Sequence, residues 1–181
     1  MKQSYIFTRE GDVNKLDKLH DGKPFFRKET NMREIEIVSI LRKHPHPNIV
    51  TYYTISPKRM YIDMELLNTK KTIPQDKLIE TMKKVKDDLQ SLGIMYVDWK
   101  PDQMGLTKNG TIKLFDFNAS GRTDVKSKKW ISVPPSYWSY RQAEAKGLVD
   151  PYEIDEFTFT LMYPPKTFKS VVGEGARVRK P

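Results

Sequence analysis

Short apolar runs bounded by turn signals open this chain, and helical periodicity takes over later. Residues 4–9 (Ser-Tyr-Ile-Phe-Thr-Arg) read as a strand, interrupted by Gly11 and Asp12. Asp21-Gly22 is a turn signal, and the run Pro24-Phe25-Phe26-Arg27-Lys28 beyond it reads as another strand. Residues 30–43 predict a helix with an apolar stripe of Ile37, Ile40 and Leu41, and Asn31 with Glu34 three residues on resembles a capping box. After a turn at His46-Pro47-Asn48, residues 49–54 and 60–67 read as two strands joined through Ser56-Pro57-Lys58. The clearest helix lies between Pro74 and Gly93, where Leu78, Met82, Val85, Leu89 and Leu92 recur every three or four residues. Ile112-Lys113-Leu114-Phe115 reads as a strand behind the Asn109-Gly110 turn.

This order predicts an α+β protein in which a small strand-rich lobe precedes a helical one, with the join near residues 67–72. From Tyr163 onward prolines, glycines and basic residues follow without periodicity, which reads as a flexible basic tail over 163–181. The 181 residues, 38% hydrophobic and 30% charged, suit one compact globular domain or a two-lobed one. The absence of cysteine excludes a disulfide framework, a thiol nucleophile and a cysteine-based zinc site. No apolar run approaches the length of a membrane span, and no apolar signal core follows the N-terminus, so an intracellular location is expected. With 32 basic and 23 acidic residues the net charge is +9, which suits anionic partners such as nucleotides, although lysine-rich faces also serve solubility.

The chemistry concentrates in Tyr96-Val97-Asp98-Trp99-Lys100-Pro101-Asp102-Gln103 and, after the hairpin signal, in Phe115-Asp116-Phe117-Asn118. A hairpin returns its ends to one place, so Asp98 and Asp116 can face one pocket. Phosphoryl transfer needs one carboxylate to position the attacking hydroxyl, another to hold magnesium, and a lysine to neutralise charge on the moving group. Asp98, Asp116 and Lys100 supply those residue types. The competing reading is two loop acids with no shared task.

Asp98-x-Lys100-Pro101 resembles the catalytic loop H-R-D-x-K-P-x-x-N of eukaryotic-type protein kinases, and Asp116-Phe117-Asn118 resembles their D-F-G. Phe25-Phe26-Arg27-Lys28 is similar to the V-A-x-K strand, and residues 36–50, ending in His46-Pro47-Asn48, to the end of helix C and the turn after it. Residues 61–67 resemble the fifth strand and hinge with Met64 as gatekeeper, and Asp155-Glu156-Phe157 resembles the start of helix F. The resemblance implies a two-lobed protein kinase-like fold: an N-lobe over 1–67 and a truncated helical C-lobe over 68–162. It implies ATP and Mg2+ as cofactors. Asp98 and Lys100 would be catalytic, and Asp116 and Gln103 would hold metal. Lys28 would bind phosphate, oriented by Glu36, with Glu34 as runner-up. Glu65 and Leu67 would offer backbone groups to adenine, and Gly11 would lie in the phosphate-covering loop. The implied function is ATP-dependent phosphorylation of serine or threonine on a protein.

The departures support an alternative, a weak or inactive pseudokinase serving as a protein-binding module. Only Gly11 remains of the glycine-rich loop, Phe26 stands where a small alanine is usual, Gly105 replaces a floor leucine, and Gln103 replaces asparagine. Tyr96 and Val97 replace His and Arg, so a phosphate on the activation segment has no standard partner and activity is expected not to need one. Pro134-Pro135-Ser136 to Arg141 resembles the A-P-E segment with Arg141 for Glu, and the late helices of the family are missing. That loss leaves apolar surface near Trp130, Tyr137, Trp138 and Tyr140 for a partner protein or a homodimer, unless those rings are core. Nucleic acid and membrane are not expected as partners. So stripped-down a domain would suit a large DNA virus.

Overall fold

The computed structural model describes the backbone of residues 4–7 and 13–16 and all of residues 22–165. Strands β1 (Ser4–Phe7) and β2 (Val13–Leu16) pair antiparallel, and β1 lies beside β3 (Phe25–Glu29). A second antiparallel sheet has the order β3-β5-β4, with β4 (Tyr52–Ser56) and β5 (Tyr61–Glu65). Residue 49, expected in a strand of this sheet, instead bridges to Leu114. Helix α1 (Met32–Lys43) connects β3 to β4 and packs on β4. Its cap is Asn31, whose side chain accepts from the Glu34 N–H, and Arg42 and Lys43 sit in the last turn, where the helix dipole favours cations.

Helix α2 (Gln75–Ser91) buries Leu78, Met82, Val85 and Leu89, the stripe read from the sequence. It ends at Gly93 (φ +71°), where a side chain would strike the Thr123 carbonyl at 2.6 Å. Strand β6 (Ile94–Met95) leads into the acid-bearing loop and a single 3-10 turn over Pro101–Gln103. The hairpin of β7 (Met104–Leu106) and β8 (Ile112–Leu114) turns at Gly110 (φ +80°). Strands β9 (Gly121–Thr123) and β10 (Trp130–Ser132) join β6 in a sheet of order β10-β9-β6. Helices α3 (Trp138–Ala145) and α4 (Pro151–Met162) pack together, α4 being capped by the Asp150 side chain with Pro151 in its first turn.

The architecture is α+β, with small antiparallel sheets and four helices among the described residues. Its main core is continuous, running from Ile37 and Val38 through Ile62, Met82 and Leu89 to Trp99, Phe117 and Phe159. A smaller cluster of Met95, Val97, Tyr140, Ala143 and Ile154 lies beneath α3 and α4. Lys86 of α2 reaches Glu156 of α4 and lies 3.1 Å from Asp87, so this buried ammonium ties the two helices.

Two expectations need adjustment. Tyr163, read as the first residue of the tail, is buried: its ring centroid lies 5.1 Å from that of Phe159 and its hydroxyl meets the Met104 sulfur at 3.6 Å. An aromatic ring one turn beyond Phe159 extends the buried face of α4, so this residue belongs to the core; residues 166–181 lie outside the described set. The aromatic residues near 130–140 divide, Tyr140 being buried and Tyr137 and Trp138 about half exposed. No helix among the described residues is long and apolar enough to cross a membrane.

Candidate active site

Lys28 projects from β3 into a group of carboxylates. Its ammonium donates to both oxygens of Glu34 at 2.7 and 2.8 Å and to Asp116 Oδ1 at 2.6 Å. Glu34 is 1% exposed and also accepts from the Thr30 hydroxyl and, at 2.9 Å, from the Phe117 N–H. The expected partner of Lys28 was Glu36, and the structure corrects this: Glu36 faces outward and accepts from Arg122 at 2.9 Å. Two residues along a helix turn a side chain by about 200°, so only one of the two acids can face Lys28. Glu34 is in phase with Ile37, Val38 and Leu41, all buried, and the helix therefore carries it inward. Only the Asn31 half of the capping box forms, the Glu34 carboxylate being committed to Lys28.

The acid-bearing loop is anchored from below by Asp155. This residue of α4 is 0% exposed and accepts from the Val97 N–H and the Trp99 indole, both at 2.9 Å, and from the Gln90 amide at 3.0 Å. Burial pushes its carboxyl above the usual range, and those three donors oppose the shift. Sequence reasoning placed Asp155 at a helix start without giving it a task. The available signal was a carboxylate between Ile154 and the aromatic residues of an apolar helix, where only a set of donors makes burial tolerable.

Asp98 is 5% exposed. Its Oδ2 accepts from the Gln103 amide at 3.2 Å, while its Oδ1 lies 3.1 Å from the Lys100 ammonium at an angle that forms no hydrogen bond. That oxygen is buried and has lone pairs to offer. The backbone is bent on both sides of the site: Val97 has φ +66° and Asp116 φ +62°. For a β-branched residue such as Val97 this conformation costs about 1–3 kcal/mol, which the Asp155 hydrogen bond helps to hold. Downstream, the β7–β8 hairpin is closed by a bond from the Phe115 N–H to the Gln103 carbonyl at 3.0 Å.

The buried Tyr96 connects the parts. Its ring packs against Trp99 and Phe117, and its hydroxyl donates to the Phe115 carbonyl at 2.7 Å. Burial raises its pKa well above the phenol range, and the carboxylates of Asp116, Asp98 and Glu34 push in the same direction. Three acids thus act on one phenol. Tyr52 is raised too, first by burial and then by Glu34 and Asp116, and its hydroxyl is buried with no hydrogen-bond partner.

Around this centre, Glu65 pairs with Lys113 at 2.6 Å. Phe26 packs against the main core. The space left by Gly105 is taken by Leu67, whose Cβ would lie 2.8 Å from any side chain added there. Asn68, one residue on, exchanges two backbone hydrogen bonds with Leu106 at 2.8 and 3.0 Å. Gly11 lies outside the described residues. Among the described residues no group of three His, Cys, Asp or Glu side chains is placed to hold a metal. Oxygen-bearing side chains lie beside both groups: the Glu34 and Asp116 carboxylates at Lys28 and the Gln103 amide at Asp98, and magnesium takes oxygen ligands of these kinds together with waters and phosphate.

No family model matches the chain. It is 30% identical over 128 residues to the serine/threonine-protein kinase shk2 of Schizosaccharomyces pombe, an alignment covering 62% of this chain and 21% of that protein. It is 28% identical over 144 residues to the serine/threonine-protein kinase pak-2 of Caenorhabditis elegans, covering 69% and 26%. To the cyclin-dependent kinase 4 homolog of the same organism it is 23% identical over 142 residues, covering 61% and 35%. The chain thus spans about a fifth to a third of the length of these relatives, and over that part its likeness is to protein kinases.

Proposed function

We propose that this chain is a protein kinase domain on the two-lobed plan, transferring the γ-phosphoryl group of ATP to a serine or threonine hydroxyl of a protein. The observation that supports the reading most is the Lys28 ammonium held between Glu34 and Asp116. Lys28 would bind nucleotide phosphate, with Glu34 fixing its position. Asp98 would orient the substrate hydroxyl and accept its proton through the oxygen that lacks a hydrogen bond. As the new O–P bond forms, the bond to the ADP oxygen breaks, and Lys100 would offset charge on the moving group. Asp116 and the amide oxygen of Gln103 would hold Mg2+, which when bound neutralises phosphate charge. Glu65 and Leu67 would present backbone groups to adenine, and Gly11 would belong to the loop over the phosphates.

A second reading, a pseudokinase that binds proteins without catalysis, is favoured by Leu67 filling the space above Gly105 and by the bulk of Phe26. Two measurements separate the readings. Mg-ATP at about 100 times its dissociation constant should stabilise a nucleotide-binding fold by about 2.7 kcal/mol; no thermal shift at millimolar Mg-ATP supports the pseudokinase. Asp98→Asn should keep that shift and lower labelled-phosphate transfer by about 10²–10⁴-fold. Equal transfer by both proteins would mean a contaminating kinase.

A further inference from the structure

Helix α1 is tied on the side facing away from Lys28 as well. Arg122 of β9 donates to Glu36 at 2.9 Å, and the Arg33 guanidinium donates to the Val133 carbonyl just beyond β10. Strand β9 is in turn paired with β6, Arg122 standing opposite Ile94, and β6 runs directly into the loop that carries Asp98. One face of α1 therefore holds Lys28 through Glu34, and the other reaches the Asp98 loop through Glu36, Arg122 and two paired strands.

We propose that Glu36 and Arg122 are positioning residues, a permanent charge pair that sets α1, and with it Glu34, against Lys28 and Asp116 without a phosphate on residues 116–138. This rests on the kinase reading for its consequence in catalysis, but the positioning itself concerns α1 alone. Two observations about that segment agree with it. Two hydroxyls that flank Arg122 in sequence are closed to modification: Ser120 is 0% exposed and donates to the Tyr96 carbonyl at 3.1 Å, and Thr123 is buried against the Gly93 carbonyl at 3.3 Å; Ser132, opposite Arg122 on β10, is only half-buried. Position 97, which precedes Asp98, is an apolar valine in the core and offers no cation for a phosphate to engage. Glu36 on α1 and Arg122 on β9 make a charge pair that is present without any modification of the segment.

The test reads the Phe117 amide, whose hydrogen bond to Glu34 reports the placement of α1. Glu36→Arg and Arg122→Glu should each speed hydrogen exchange at that amide about three- to fivefold, the scale of a partly exposed ion pair. The double swap Glu36→Arg/Arg122→Glu should return exchange to near the wild-type rate. The same swap at the exposed pair Glu80 and Lys84 of α2, Glu80→Lys/Lys84→Glu, serves as control and should change nothing. Where the wild type transfers phosphate, kcat should fall and recover in the same pattern, with KM for ATP changing less, and phosphatase treatment should leave the rate unchanged. Wild-type exchange in both single variants, or a double swap no better than either, overturns the proposal. A wild type that transfers no phosphate overturns the kinase reading alone, because Phe117 exchange still judges the clamp.

Discussion

Replacing Lys28 by methionine takes the ammonium away from Glu34, whose carboxylate is 1% exposed. A charge left in the interior without its partner costs about 3–5 kcal/mol. The Thr30 hydroxyl and the Phe117 amide still donate to Glu34, which points to the lower end. Lys28→Met should therefore lower the free energy of urea unfolding by about 3 kcal/mol, and Lys28→Met/Glu34→Gln, which removes the stranded charge, should regain part of it. At this scale much was readable in advance. Asp98 and Gln103 stand five positions apart in one short loop, which leaves their side chains little choice but to meet, so spacing suffices to group them with Lys100. Choosing between Glu34 and Glu36 requires helix phase: counting back from Leu41 and Ile37 selects Glu34, whereas the capping pattern draws attention to its backbone. Asp155 cannot be assigned from spacing, because its three donors come from α2 and from the Asp98 loop, remote in sequence.

Between elements, the junctions of α2 with β9 and of α4 with the acid loop carry the next predictions. Gly93 turns the chain at the end of α2 with a backbone that disfavours side chains, directly beneath the Thr123 carbonyl. Gly93→Ala should cost about 2 kcal/mol or more, seen as a lower urea midpoint, because the nearest atom is backbone and cannot swing aside. Asp155 gives a pH signature. Its carboxyl is raised in the folded state, so between the ordinary value of 3.8 and the raised one the folded protein holds a proton that the unfolded chain has released. Its contribution is fully present below 3.8 and is lost as pH climbs through the raised value. Asp155→Asn keeps an oxygen for Val97 and Trp99 and cannot titrate. The stability of wild type relative to this variant should be greatest in acid and should shrink toward neutral pH in paired urea titrations. The long elements were legible because α1 and α2 carry sustained apolar stripes. The strands β6, β7, β9 and β10 have two or three residues each, too few for any period, and α3 follows Pro134 and Pro135 and was readable only as part of a helical region.

Across the whole molecule, the main core runs without a break from α1 to Phe159 and Tyr163. A core shared in this way predicts one cooperative transition: tryptophan fluorescence, led by the buried Trp99, and far-ultraviolet circular dichroism should give the same urea midpoint. Two separated midpoints would mean that the strand-rich and helical parts fold independently. The same continuity has a mechanical side. Backbone bonds join the two parts at Asn68 with Leu106, and again where the Val50 N–H meets the Leu114 carbonyl at 2.9 Å and the Leu114 N–H meets the Asn48 carbonyl at 2.8 Å. Together with the Lys28–Asp116 and Glu36–Arg122 ion pairs, these bonds hold the strand-rich and helical parts at several points. Widening beside Lys28 therefore has to break its bond to Asp116 and disturb the shared core at the same time.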